Sequence, residues 1–317
     1  VRNDELETLR SIMKGVAWAV GTTIVANGGL GPKPGSQAAI EIAGQGPFVA
    51  RSKTPILDAH SIALMRLASA TEHFTAIARL MEEPPVAAYG PASLARTALE
   101  NSARAWRALD PALDVKMRVA RGRTDFIVNL KEVLRALDAI ESLGTDKERA
   151  ENQAIRDKTT GILAAIVTDT EAIGLHVLRT KKGIPIGVEE APIGPTAAIA
   201  EQLGDMGRLA YNDLSAVAHG TLFGMASRLE EVGRIPSMEG VMLATPSLSM
   251  PSLRNSIAVT LLSYREATDR RMKLYGWDMT DWNAWKKESA LALRALLRNG
   301  TSPAGQGHPE TTGETGP

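Results

Sequence analysis

Tyr211, Ser215 and His219 stand four residues apart in the stretch 196–220 and are followed directly by Gly220. At about 100° per residue, Arg208, Asn212, Ser215 and His219 share one side of a helix. Leu203, Met206, Ala210, Leu214 and Val217 share the other, with Tyr211 on the border. Thr196 is the predicted N-cap and Gly220 the predicted left-handed stop. Asn, Ser and His are poor helix formers, whereas a merely solvated face is usually filled with Glu and Lys. The polar stripe therefore reads as a set of hydrogen-bonding groups. An imidazole near neutral pH can move a proton, and Ser215 lies within reach of His219. A serine inside a helix, however, usually bonds back to the preceding turn. With no Gly-x-Ser-x-Gly elbow in the chain, nucleophilic catalysis is not indicated.

A second constellation lies in the stretch 92–109, where Arg96 and Glu100 are at i, i+4 and Arg107 continues the face. Arg before Glu is the less favourable order for a local pair along the helix dipole. Either the pair is a cheap surface contact, or it faces a cleft and meets groups of another helix. The second reading makes this helix the neighbour of the one carrying Tyr211, Ser215 and His219, with all five side chains lining a polar interhelical cleft. The bland alternative for His219 is a cation in the last helical turn, favoured by the dipole with no partner required.

Metal and cofactor chemistry find no support. The histidines are His60, His73, His176, His219 and His308, and none is in a His-Glu-x-x-His, Glu-x-x-His or His-x3-His pattern. Asp58, His60, Glu72 and His73 share one helix, but the two histidines are too far apart to share an ion. The glycines at 28, 29, 31, 35, 44 and 46 are not followed by the Lys-Ser/Thr of a phosphate loop. No metal site and no cofactor are expected.

The elements that must position these groups read as helices separated by Pro/Gly-rich turns. A first helix crosses Met13 and covers residues 1–20, and 27–54 is expected to be an irregular loop. Thr54-Pro55, Gly90-Pro91 and Asp110-Pro111 each place a proline at a first helical position, opening helices over 56–81, 92–109 and 112–143. Thr145 to Glu148 is a capping-box sequence that opens a helix towards Thr180, weakened by Gly161 and Gly174. Residues 181–195 read as a loop, 220–231 as a short continuation of helix, and 241–244 as a short strand. Helices over 252–275 and 281–298 follow, pinned at their junction by Trp277, Trp282 and Trp285. The expected fold is all-α: a bundle of about seven to nine helices, with residues 1–299 as a single domain. Residues 300–317, poor in large apolar groups, are expected to be a disordered tail.

Composition excludes several function classes. There are no cysteines among the 317 residues, which removes disulfides, thiolate nucleophiles and cysteine zinc sites. A reducing cytoplasm is the natural compartment. Lys plus Arg equals Asp plus Glu, 36 each, so no strong overall field draws the chain to nucleic acid or membrane. The locally basic stretches 104–135 and 254–298 read as solvated helix surface. No run of about 18 apolar residues spans a membrane. The chain begins with Val1. A start at Met13 would make residues 14–26 resemble a short signal peptide, but the apolar stripe of Leu6, Leu9, Ile12, Val16 and Val20 crosses that boundary and favours one mature helix.

Arg-Thr-Ala-Leu-Glu at 96–100, Ala-Trp-Arg-Ala-Leu-Asp-Pro at 105–111 and Tyr-Asn-Asp-Leu-Ser-Ala-Val-Ala-His-Gly at 211–220 resemble a group of uncharacterised all-helical bacterial proteins, frequent in actinobacteria. Those proteins carry an Arg-x3-Glu helix and a later Tyr-x3-Ser-x3-His-Gly helix. The resemblance covers about residues 55–275 and implies the fold, not an activity. More distantly, the chain is similar to HEPN ribonucleases, although their Arg-x4–6-His spacing is not met at His219, since Arg208 lies eleven residues upstream. Two readings follow. The first is a helical binding or interaction module whose cleft is lined by Arg96, Glu100, Tyr211, Ser215 and His219, with a protein or a second copy of the chain as partner. The second is a metal-independent HEPN-like ribonuclease of a toxin or phage-defence system, with Arg96 stabilising phosphorane charge, His219 moving the proton, and Glu100 beside them.

Overall fold

The computed structural model describes residues 3–48, 54–82, 89–140, 143–221, 229–234, 242–246 and 250–299. Among them are nine α-helices and two hairpins. In chain order these are α1 (Asn3–Ala26), α2 (Gln37–Ala43), α3 (Pro55–Leu80), α4 (Gly90–Ala108), α5 (Val115–Ile140), α6 (Asp146–Ala172), β1 (Val177–Arg179), β2 (Pro185–Val188), α7 (Pro195–Ala218), β3 (Leu229–Arg234), β4 (Met242–Pro246), α8 (Met250–Tyr275) and α9 (Thr280–Asn299). The fold is all-α, and no described helix is long and apolar enough to cross a membrane.

Local chemistry explains most helix starts. At α6 the Thr145 hydroxyl accepts the Glu148 amide at 3.3 Å while Thr145 N–H donates to Glu148 Oε2 at 2.6 Å, the reciprocal capping box. Pro55 and Pro91 stand in the first turns of α3 and α4. Pro111 does not start α5. Asp110 Oδ1 accepts the Ala112 amide at 2.9 Å and closes a turn, and Asp114 then caps α5 by accepting the Met117 amide at 2.7 Å. Asp110 thus closes a turn around Pro111, and the cap that opens the helix is Asp114.

α4 is the axis of the bundle, packed against α3, α7 and α8. Ala95, Ala98, Leu99, Ser102, Ala103 and Ala105 are all buried, and small side chains let three helices approach it at once. α1 packs on α3 and α9. Trp282 is fully buried, stacked on Trp285 at 4.8 Å between ring centroids, and edge-on to Tyr264. A smaller core of Ile56, Val119, Ile127, Leu175 and Val188 joins α3 and α5 to the first hairpin. α5 crosses α3 at Gly122, where a Cβ would lie 2.9 Å from the Ala59 Cα.

Several expectations are overturned. Residues 27–54 are not wholly irregular: Ser36 caps α2, and a 3-10 turn follows at Gly46–Phe48. The helix after Thr145 stops at Ala172, because Gly174 takes φ +76°, and runs through Gly161 unbroken. Residues 177–188 form the antiparallel hairpin β1–β2 instead of helix end and loop. Residues 229–231 of the helical continuation expected up to 231 belong to β3, which pairs antiparallel with β4; residues 242–244 of the strand expected at 241–244 are part of β4, and 222–228 and 241 lie outside the described residues. α7 is capped by Gly194 with Pro195 in its first turn, so Thr196 is not its N-cap. α1 is one helix through Met13, which is buried with Leu9, Ile12 and Val16. The expected tail at 300–317 lies outside the described residues.

The basic stretches are not simply solvated surface. Arg118, Arg123, Arg254 and Arg271 are buried. Arg118 donates to the Ala108 and Asp110 carbonyls at 2.6 and 3.0 Å, and its Nε lies 2.8 Å from Glu41 Oε2. Glu41 Oε2 also meets His60 Nε2 at 3.2 Å, and Gln37 donates to Oε1 at 3.0 Å. This buried cluster fastens α2 to α3, to α5 and to the turn between α4 and α5.

Candidate functional site

α7 is divided by Gly204, whose φ of +62° and ψ of −149° are not helical. The break rephases the helix. Met206, expected inside, is half exposed, whereas Gly207, Tyr211, Leu214 and Val217 are buried. At its other end α7 closes with Thr221 N–H on the Ala216 carbonyl at 3.1 Å and Gly220 N–H on Val217 at 3.0 Å. These are the two bonds of a Schellman stop, with Gly220 at φ +61°. His219 is therefore the C-cap residue, and its side chain is exposed.

The border residue Tyr211 is the one that reaches α4. Its hydroxyl donates to Glu100 Oε1 at 3.0 Å and accepts from Arg96 Nη2 at 3.3 Å. Arg96 Nε lies 2.9 Å from the same carboxylate oxygen, and its guanidinium sits 5.5 Å from the Tyr211 ring centroid. The cluster is mostly shielded, with Arg96 and Glu100 side chains 22 and 23% exposed. Burial lowers the Arg96 pKa, but the Tyr211 and Glu100 contacts more than offset that and raise it above the usual arginine value. Three of the five groups read from the sequence thus meet between α4 and α7. Among the described residues, no hydrogen bond or ion pair joins the side chain of Ser215 or His219 to them.

The polar face of α4 continues past this cluster. Arg104 and Arg107 follow Glu100 by one and two turns and, with Arg66 of α3 and Arg121 of α5, line a cavity of ≈ 60 Å³ closed by Glu190, Pro192 and Ile193 after β2 and by Ala198 of α7. Arg66 pairs with Asp125 at 2.7 Å, and Arg107 and Arg121 both pair with Glu190, at 2.6 and 2.9 Å. Arg107 also reaches Glu201 of α7 at 3.1 Å. Among the described residues Arg104 has no such partner, and its Nε is buried without a hydrogen bond. Four arginines thus face two carboxylates on the lining, and among the described residues Arg104 is the one of the four without an ion pair.

No family model, curated protein or solved structure matches this chain. The site is therefore read from its own chemistry. A space the size of a small ion, rimmed by planar N–H forks, suits a tetrahedral or planar oxyanion. Metal chemistry does not suit it: guanidinium groups are not ligands, and no cluster of three or more metal-binding side chains occurs among the described residues.

Arg104 carried a sequence signal, since it shares the i, i+4 ladder with Arg96 and Glu100. Arg66, Arg121 and Glu190 carried none, because they come from three other segments. Glu41 and His60 were equally hidden. Burial raises the Glu41 carboxyl, but His60, Arg118 and Gln37 more than offset it and hold it below the usual 4.5. The cluster ties α2 to α3, to α5 and to the turn after α4.

Proposed function

We propose that the protein is a helical binding module whose α4–α7 seam takes an oxyanion, of the phosphate or sulfate class, in the arginine-lined cavity. The observation that carries this reading is Arg104, a buried guanidinium nitrogen without an acceptor inside a ring of three further arginines. A buried N–H without an acceptor is costly, and the crowding of four guanidinium groups around one space adds to that cost. A bound oxyanion removes both costs through charge-assisted hydrogen bonds. The Arg96–Glu100–Tyr211 cluster is internally neutralised and holds the two walls of the seam in register. A ribonuclease at His219 is supported less well, because the imidazole lies at the exposed cap of α7 while Arg104 lies in another part of the seam.

The test is calorimetric titration with inorganic phosphate at constant ionic strength, on the natural chain and on Arg104→Met. The expected result is saturable binding by the natural chain that weakens at least tenfold in the variant. Binding unchanged by Arg104→Met, or no binding by the natural chain, overturns the proposal.

A further inference from the structure

A second cavity lies on the other side of α3, between α1, α3 and α8. It encloses ≈ 530 Å³ and its wall is overwhelmingly apolar, formed by Val20 and Ile24 of α1, Leu30, and Leu64, Met65 and Leu67 of α3. That volume is in the range of ligand-sized pockets, about 300–1,000 Å³. Leu30 and Met65 are more than half exposed at 62 and 63%, so apolar surface continues to the opening.

One lining residue is out of keeping with the rest. Arg271 is 5% exposed, and both its Nε and Nη2 are buried with no hydrogen-bond partner. No ion pair involves it among the described residues. Its guanidinium lies 4.5 Å from the Trp277 ring centroid and 5.8 Å from that of Tyr275, contacts that stabilise the cation from the side but satisfy no N–H. The hydroxyls of the lining itself, those of Thr71, Thr75 and Tyr264, bond one another or the backbone. Tyr264 bonds Thr71 Oγ1 at 2.6 Å, and Thr75 donates to the Thr71 carbonyl at 3.1 Å. Glu72, the carboxylate on the lining, is exposed to water and makes no ion pair with Arg271.

A lone buried cation at an apolar wall, with two unfilled donors, defines what complements it: an anionic head small enough to take two N–H bonds and an apolar body to fill the volume. We infer that this cavity is a binding site for a monocarboxylate with an aliphatic chain, its carboxylate on Arg271 and its chain along α1 and α3. Carboxylate and guanidinium meet as two parallel N–H···O bonds, and the chain gains by leaving water for the apolar wall. This site is separate from the arginine-lined seam and does not depend on its assignment.

Decanoate and decan-1-ol, which share a chain and differ in the charged head, are the probes, each titrated calorimetrically below its aggregation limit. Arg271→Met keeps the length of the side chain and removes the charge. Ala68→Trp changes an exposed lining residue, blocks the cavity, leaves Arg271 in place and keeps the test decisive if the first variant fails to fold. The expected result is decanoate binding at least tenfold tighter than decan-1-ol, loss of that preference in Arg271→Met, and loss of decanoate binding by tenfold or more in Ala68→Trp. Equal affinity for the acid and the alcohol, no decanoate binding, or binding indifferent to Ala68→Trp overturns the inference.

Discussion

Tyr211 uses its hydroxyl twice, as donor to Glu100 and acceptor from Arg96, so its removal should be felt by both partners. Tyr211→Phe should cost about 1 kcal/mol, the usual net worth of a hydrogen bond. A double-mutant cycle with Glu100→Gln, followed by urea unfolding, should give coupling above about 0.5 kcal/mol. Glu100→Gln and His219→Ala should be additive, since the His219 side chain is exposed at the C-terminal end of α7, away from the cluster. At Arg118 the stakes are higher. Arg118→Ala leaves Glu41 buried with its main cationic partner gone, and breaking a buried pair costs about 3–5 kcal/mol. Because the folded Glu41 pKa is depressed, its contribution is present above 4.5 and is lost as pH falls through the lower folded value. Glu41→Gln should therefore flatten the fall in unfolding free energy below pH 4.5, measured by urea titration at each pH. At this scale the sequence exposed the pairs that lie on one helix, such as Arg96 with Glu100. It concealed Glu41 with Arg118 and Glu190 with Arg121, whose partners are brought together only by tertiary packing.

Among the elements, the break in α7 governs which face meets α4. Gly204 occupies φ/ψ space that a side chain disfavours. Gly204→Ala should cost about 1–3 kcal/mol and weaken phosphate binding as Ala198 and Tyr211 lose their relative phase; thermal unfolding and the phosphate titration together check this. A glycine in a helical pattern is visible in the sequence but its positive φ is not, which is why the periodicity points Met206 inward. Long helices were legible because their apolar periodicity repeats over many turns, as in α3 and α8. The first hairpin was not, because β1 and β2 have three and four residues, too short for a two-residue period to stand out beside Gly183 and Gly187. α2 escaped for the same reason: its seven residues fall between glycines and prolines.

The molecule as a whole joins a nearly continuous helical core to a surprising number of interior guanidinium groups. Arg118 and Arg254 are tied to backbone carbonyls, Arg254 through Leu296 at 2.9 Å, and Arg270 lies 3.5 Å over the Trp106 ring. These tie the basic stretches into the packing, which is why a charge count alone misread them as solvent-facing. The aromatic end of the bundle also sets an alkaline limit. Burial pushes the Tyr275 hydroxyl up to about 12 from 10.0, against the opposing pull of Arg271. A raised folded pKa stabilises below the unfolded value, so that contribution should be full below pH 10 and lost progressively towards pH 12. Tyr275→Phe should remove that part of the decline in a denaturant titration at rising pH.

Arg104 and its cavity carry the central functional claim, and crystals grown with selenate in place of other oxyanions test it most directly through the selenium anomalous signal. The account predicts a peak inside the cavity, within hydrogen-bond distance of Arg104 Nε and at least one of Arg66, Arg107 and Arg121, that disappears in Arg104→Met crystals. Selenate found only on the outer surface, with the cavity empty at saturating concentration, would contradict it.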